Sequence, residues 1–180
     1  MKATGIVRRI DDLGRIVVPK EIRKTLKIRE GDPLEIFTNN EGEIILKKYS
    51  PLGNIEEYAK EYTEAINKVT GFTVLVTDKD RIICASGLGK KDFRDISLKK
   101  EFEILLEGRK SITFSNDEKT YLNILSDEIF KEAKCGVISP IISEGDIFGS
   151  LIMLSNQNKI SDSDLKIIQI AVKFFEKQLS

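Results

Sequence analysis

Residues 11–28 read DDLGRIVVPKEIRKTLKI, and the order of residue types in this stretch decides the fold around it. Asp11-Asp12-Leu13-Gly14 is a turn in which Gly14 can take a positive φ, and Arg15-Ile16-Val17-Val18 leaves it as a β-branched strand. Thr4 to Ile10 is β-rich on the other side, so the turn closes a hairpin with arginines at both ends of its loop. Pro19 then sets φ for a helix start, Ile22 and Leu26 share one face of Lys20–Leu26, and Glu30-Gly31-Asp32 stops the helix. A second hairpin follows, with strands at 34–38 and 43–47 joined by Asn39-Asn40-Glu41-Gly42. A unit of about fifty residues buries too little to stand comfortably alone, and it holds neither a disulfide nor a metal site. Four short strands with open edges therefore predict an intimate homodimer in which two chains complete one barrel.

Charge points to what such a barrel touches. The chain of 180 residues is neutral overall, with 29 Lys plus Arg against 29 Asp plus Glu. Residues 1–29, however, hold nine basic side chains against Asp11, Asp12 and Glu21. An excess of six positive charges on a small fold suits phosphates, although charge alone also fits a solvated face. Two-fold symmetry would present this basic surface twice. Asp11 and Asp12 read as turn formers that limit how closely the loop approaches phosphate.

The segment TGIVRRI followed by 11–28 and by the strand GDPLEI resembles the AbrB-type DNA-binding domain, a swapped-hairpin β-barrel dimer. That resemblance covers almost all of residues 1–50 and implies that Arg8, Arg9, Arg15, Arg23 and Lys24 contact double-stranded DNA. The chemistry of the residues agrees: guanidinium groups fork onto phosphates and guanine edges, and doubling them by symmetry multiplies the contacts. The helix is barely two turns, too short for a long recognition helix, so readout partly by DNA shape is expected. Antitoxins of the MazE type share the barrel, which leaves an antitoxin-like protein interaction module as the alternative function.

The remainder reads as a linker at 51–54 and a second domain at 55–180. Asn54 is expected to cap a helix in which Ile55, Tyr58, Tyr62, Ala65 and Val69 form a heptad seam. A closing helix is capped by the Ser161-Asp162-Ser163-Asp164 cluster and carries Leu165, Ile168, Val172, Phe175 and Leu179 at the same spacing. Strands are expected at 72–77, 81–86, 111–114, 121–125, 136–142 and 147–154, with a helix at 98–107 between them. The fold class is α+β: a barrel followed by an antiparallel sheet flanked by long helices. GFTVLVTDKDRIICASG and PIISEGDIFGSLIMLS, with the closing helix, resemble the GAF superfamily. Segments 87–97 and 115–120 would form the lips of a small-molecule pocket, with Arg94 and Lys134 able to pair an anion. No signature names a ligand, so the cofactor-binding residues stay unknown and no cofactor is assigned.

Zero histidines exclude Ser-His and Cys-His catalysis and His-ligated zinc. Cys84 and Cys135 are too few for a thiolate zinc site and read as buried reduced thiols. No catalytic residue, enzyme activity or metal is expected. No apolar run is long enough to span a bilayer, and the first residues lead directly into a strand, so the expected compartment is the cytoplasm, at the nucleoid. The two halves in this order resemble a family of two-domain sporulation regulators. That resemblance implies a homotetramer, joined through its C-terminal helices, that activates and represses transcription.

Overall fold

The computed structural model describes residues 5–87, 96–115, 133–156 and 159–180. The chain divides into two compact units, Met1–Tyr49 and Ser50–Ser180. The first unit holds helix α1 (Lys20–Thr25) and the strands β1 (Leu34–Thr38) and β2 (Ile44–Lys48). The strands pair antiparallel, from Leu34 opposite Lys48 to Thr38 opposite Ile44. Their loop is organised by one side chain: Asn39 Oδ1 accepts the N–H groups of Glu41 at 3.1 Å and Glu43 at 2.9 Å. Gly42 takes φ 79° in the same loop, which any side chain would disfavour.

The expected first hairpin forms its turn but not its ladder. Asp11 N–H donates to the Arg15 carbonyl at 3.1 Å and Gly14 N–H to the Asp11 carbonyl at 3.0 Å. Residues 5–10 and 15–18 carry no strand pairing within the chain. Apart from the half-buried Val18, their apolar side chains stay in solvent, with Val7 84% and Val17 72% exposed. β-Branched sequence supplies strand propensity, but propensity alone forms no ladder without a partner strand.

The second unit starts with α2 (Pro51–Asn54) and α3 (Glu56–Thr70), followed by β3 (Thr73–Thr77), β4 (Ile82–Ser86) and α4 (Lys100–Glu107). It continues with β5 (Ile112–Ser115), β6 (Cys135–Ser143), β7 (Asp146–Ser155) and α5 (Asp162–Gln178). Its five strands form one antiparallel sheet in the order β4-β3-β7-β6-β5. Leu151 and Met153 of β7 face α3 and α5, whereas Ile152 and Leu154 face α4. A strand buried on both faces reads as a continuous apolar run rather than an alternating one, as 151–154 does. Phe175, Ile168 and Val172 of α5 complete one core layer, and Phe102 and Leu106 of α4 the other. Gly149 lets β7 pass close to β3, because a Cβ there would collide with the Thr77 carbonyl oxygen.

Local signals account for the helix ends. Ser161 and Asp164 form a reciprocal capping box, with Ser161 N–H donating to Asp164 Oδ2 at 2.8 Å and Asp164 N–H to Ser161 Oγ at 3.3 Å. α3 closes on Gly71, left-handed at φ 71°. Its start corrects the expected cap: Asn54 lies within α2, and Ile55 occupies the cap position without a side-chain hydrogen bond. Pro51 begins an extra helical turn that takes up the residues read as a linker. The expected seam of α3 also differs from its buried stripe, which is Ala59, Thr63 and Ile66. Tyr58 and Val69 remain 60% and 81% exposed.

At the β6 bulge between Ile141 and Ile142, the Ile142 N–H donates to Glu176 Oε1 of α5 at 3.4 Å. Lys173 Nζ holds the other oxygen of the same carboxylate at 2.6 Å. Cys84 on β4 and Cys135 on β6 are both buried and unbridged. The expected strand at 121–125, Arg94, and most of the two expected pocket lips lie outside the described residues. Lys134 is exposed, and its N–H donates to the Ser155 carbonyl at 2.7 Å.

Candidate nucleic-acid interface

The five basic residues fall into two groups. Arg8, Arg9 and Arg15 flank the 11–14 turn, and all three are exposed. Arg23 and Lys24 lie in the last turn of α1, the first half-buried and the second exposed. α1 follows the buried Pro19, whose φ of −57° is already close to helical, and whose carbonyl accepts the Arg23 N–H at 2.9 Å. Cations at a helix C-terminus also meet the negative end of the helix dipole. Six residues make a helix only about 9 Å long. It presents its two cations at one point rather than reading along a groove.

The turn positions Arg15 most firmly. Asp11 Oδ1 accepts the N–H groups of Leu13 at 3.1 Å and Arg15 at 2.8 Å, an Asx-type closure. Asp11 Oδ2 takes the Arg15 Nε–H at 2.8 Å, while the Arg15 side chain stays 69% exposed. The Arg15 backbone N–H, with its guanidinium second, holds the Asp11 carboxyl below the usual carboxylate range. Sequence reasoning took Asp11 for a turn former that also limits how closely the loop approaches phosphate, and did not pair it with Arg15. The signal for its second role is the spacing of four across a closed turn, which brings the two side chains to the same side.

Arg8 Nη1 donates to the neighbouring Val7 carbonyl at 3.3 Å. The side chains of Arg9, Arg23 and Lys24 have no ion-pair partner among the described residues. Lys48 serves the fold instead: its ammonium lies 3.1 Å from Asp32 Oδ2 and 3.2 Å from the Lys27 carbonyl. Burial raises the Asp32 carboxyl, but the Arg29 N–H and the Lys48 ammonium outweigh it and hold the group below its ordinary range. Among the described residues no cluster of His, Cys, Asp and Glu could hold a metal ion, and no helix is long and apolar enough to cross a membrane.

Comparison with known proteins places both units. Residues 7–53 match the family model described as antidote-toxin recognition MazE, bacterial antitoxin. Residues 54–180 match that described as stage V sporulation protein T C-terminal, transcription factor. The transition state regulatory protein AbrB of Bacillus subtilis is 61% identical over 51 residues, 28% of this chain and 52% of that one. The GAF domain of the Acinetobacter phosphoenolpyruvate-protein phosphotransferase is similar in fold alone, with a TM-score of 0.59 at 9% identity over 74% of this chain and 84% of that one. Stage V sporulation protein T of Bacillus subtilis is 42% identical over 179 residues, 99% of each chain. With residues 54–180 matched by the family model and 99% of its length aligned to a relative 42% identical, the chain belongs to the stage V sporulation protein T family of transcription factors.

Proposed function

We propose that the chain regulates transcription of sporulation genes by gripping double-stranded DNA through Arg8, Arg9, Arg15, Arg23 and Lys24 of its N-terminal unit. The observation that carries this reading is the cationic set, exposed but for the half-buried Arg23, around one hydrogen-bonded turn and one helix end, in a segment 61% identical to AbrB. Its role is regulatory rather than enzymatic, exercised in the cytoplasm at the nucleoid. Phosphate contacts within this cationic set release counterions, so affinity falls steeply with salt, by roughly 0.9 in log K per log salt for each phosphate neutralised.

The DNA-binding form is a symmetric assembly. Exposed Val7, Ile16 and Val17 border backbone that has no strand partner within the chain, and a second copy supplies both the ladder and the apolar cover. The C-terminal helices join barrel dimers into a tetramer. This supports regulation in which the sheet domain biases the arrangement of two barrels, with the expected coupling on the order of 1 to 3 kcal/mol.

The match to antitoxins over 7–53 favours one other reading, a module that captures a toxin. A folded unit of residues 50–180 follows the barrel segment here, and it carries the transcription-factor match. Titration of duplex DNA with the full chain and with the Arg15→Glu/Arg23→Glu variant tests the proposal. Loss of binding by the variant at moderate salt supports it; unchanged binding sinks it.

A further inference from the structure

We infer that Asp11 is a specificity-determining positioning residue, which turns Arg15 into a reader of base edges rather than an anchor for phosphate. The inference rests on the DNA-binding reading of the N-terminal unit.

The geometry of one turn carries it. An exposed ion pair between two long flexible side chains is ordinarily weak, because both must be immobilised and water screens them. Here one partner is already fixed: Asp11 Oδ1 is bound to the Leu13 and Arg15 N–H groups, and the backbone closes around it through Asp11 N–H to the Arg15 carbonyl. Only Arg15 loses freedom when Oδ2 takes its Nε–H at 2.8 Å. That bond occupies the Nε edge of the guanidinium. Among the described residues neither Nη group of Arg15 has a partner, so the end-on Nη1–Nη2 edge is left for a ligand. Two parallel N–H donors at that edge match two adjacent acceptors, the pattern that guanine O6 and N7 present in the major groove.

Charge sorts the ligands further. A phosphate that approaches Arg15 must also approach the Asp11 carboxylate, which its hydrogen bonds keep ionised, so the pair offers little net attraction to an anion. A base edge is a neutral set of dipoles and meets no such penalty. Arg9, Arg23 and Lys24 have no carboxylate partner among the described residues and Arg8 only a carbonyl, so these four are free to neutralise phosphates. Positioning and reading are thus divided between different side chains on one small unit.

The test compares the full-length chain with Asp11→Asn, Asp12→Asn and Arg15→Ala. Asparagine keeps the Oδ1 acceptor that closes the turn and removes the charge, and Asp12→Asn removes the same charge one residue away. Each protein selects from a pool of duplexes with randomised cores and is titrated with poly(dA-dT), which lacks the O6/N7 acceptor pair, across a salt series. Asp11→Asn is expected to reduce the enrichment of its best sequences over the pool average by about five-fold or more. It should also steepen the salt slope on poly(dA-dT) by roughly 0.9 for each Arg15 that gains a phosphate. Asp12→Asn should enrich the same sequences to the wild-type degree. Combining Asp11→Asn with Arg15→Ala should cost no more discrimination than Arg15→Ala alone, a non-additivity that a merely structural aspartate would not produce. Equal enrichment by the Asp11→Asn and Asp12→Asn proteins overturns the inference while leaving DNA binding intact. A wild-type chain that retains no duplex overturns the functional reading itself.

Discussion

The Tyr62 ring of α3 lies flat on that of Phe174 of α5, with centroids 4.7 Å apart and planes within 7°. Phe175 meets Tyr62 edge-on at 5.7 Å, so three rings join the first long helix of the unit to the last. Such pairs add about 0.5 to 1.5 kcal/mol beyond the area they bury. Tyr62→Ala is expected to destabilise the C-terminal unit by about 2 to 3 kcal/mol in urea unfolding. A cycle with Phe174→Ala should show coupling of about 1 kcal/mol, and additive losses would refute the joint.

Burial pushes the Cys84 thiol up to about 11, while the Thr63 hydroxyl, 3.9 Å from its sulfur, pulls the other way. The folded state therefore holds this proton more tightly than the unfolded chain, so the stabilisation is complete below the ordinary thiol pKa and lost as pH rises through about 11. Unfolding free energy should decline between about pH 9 and 11, on the order of 2 kcal/mol, and Cys84→Ala should flatten that decline. Denaturant titrations at a series of pH values read the slope directly.

Removing the Ser161 hydroxyl breaks one half of the α5 capping box. Ser161→Ala should cost about 1 kcal/mol, and Ser161→Thr should restore most of it, because its hydroxyl also accepts the Asp164 N–H and donates to Asp164 Oδ2. Thermal unfolding of the three proteins distinguishes a cap from a bystander.

Arg23 and Lys24 share the end of α1 and carry no carboxylate partner among the described residues. Replacing either with Ala should weaken binding about equally on all duplexes and lower the salt slope by roughly 0.9 per lost phosphate contact. A sequence-dependent loss from Lys24→Ala would contradict its assignment to phosphate.

Val7 and Val17 are exposed within one chain. Val7→Asp and Val17→Asp should therefore leave the fold of the C-terminal unit unchanged while lowering the mass of the particle in light scattering. Unaltered mass with both substitutions present would refute a barrel shared between chains.

How much of this was legible depended on whether the deciding partner lay nearby in sequence. The strand at 34–38 appears where its alternation and the Asn/Gly loop placed it, and α5 begins at the Ser161-Asp164 pair, because both signals act within a few residues. The first hairpin was legible as a turn only, since strand propensity does not say whose strand completes the ladder. On α3, the heptad spacing picked Tyr58 and Val69, whereas the sheet takes Ala59, Thr63 and Ile66. A helix with two apolar stripes does not reveal by periodicity which one faces its own core. The five basic residues were legible as charge, and the structure leaves four of them exposed and Arg23 half-buried. The clasp of Asp11 on Arg15 was not, because side-chain pairs four apart are expected on helices and this one spans a turn.

The Glu176 carboxylate, bridging the β6 bulge and Lys173, makes the far end of the closing helix a clamp on the sheet. A helix held this way cannot slide lengthwise without abandoning the Ile142 amide. The closing helix and the hairpin it covers are in this way latched by a backbone amide as well as by their packed side chains.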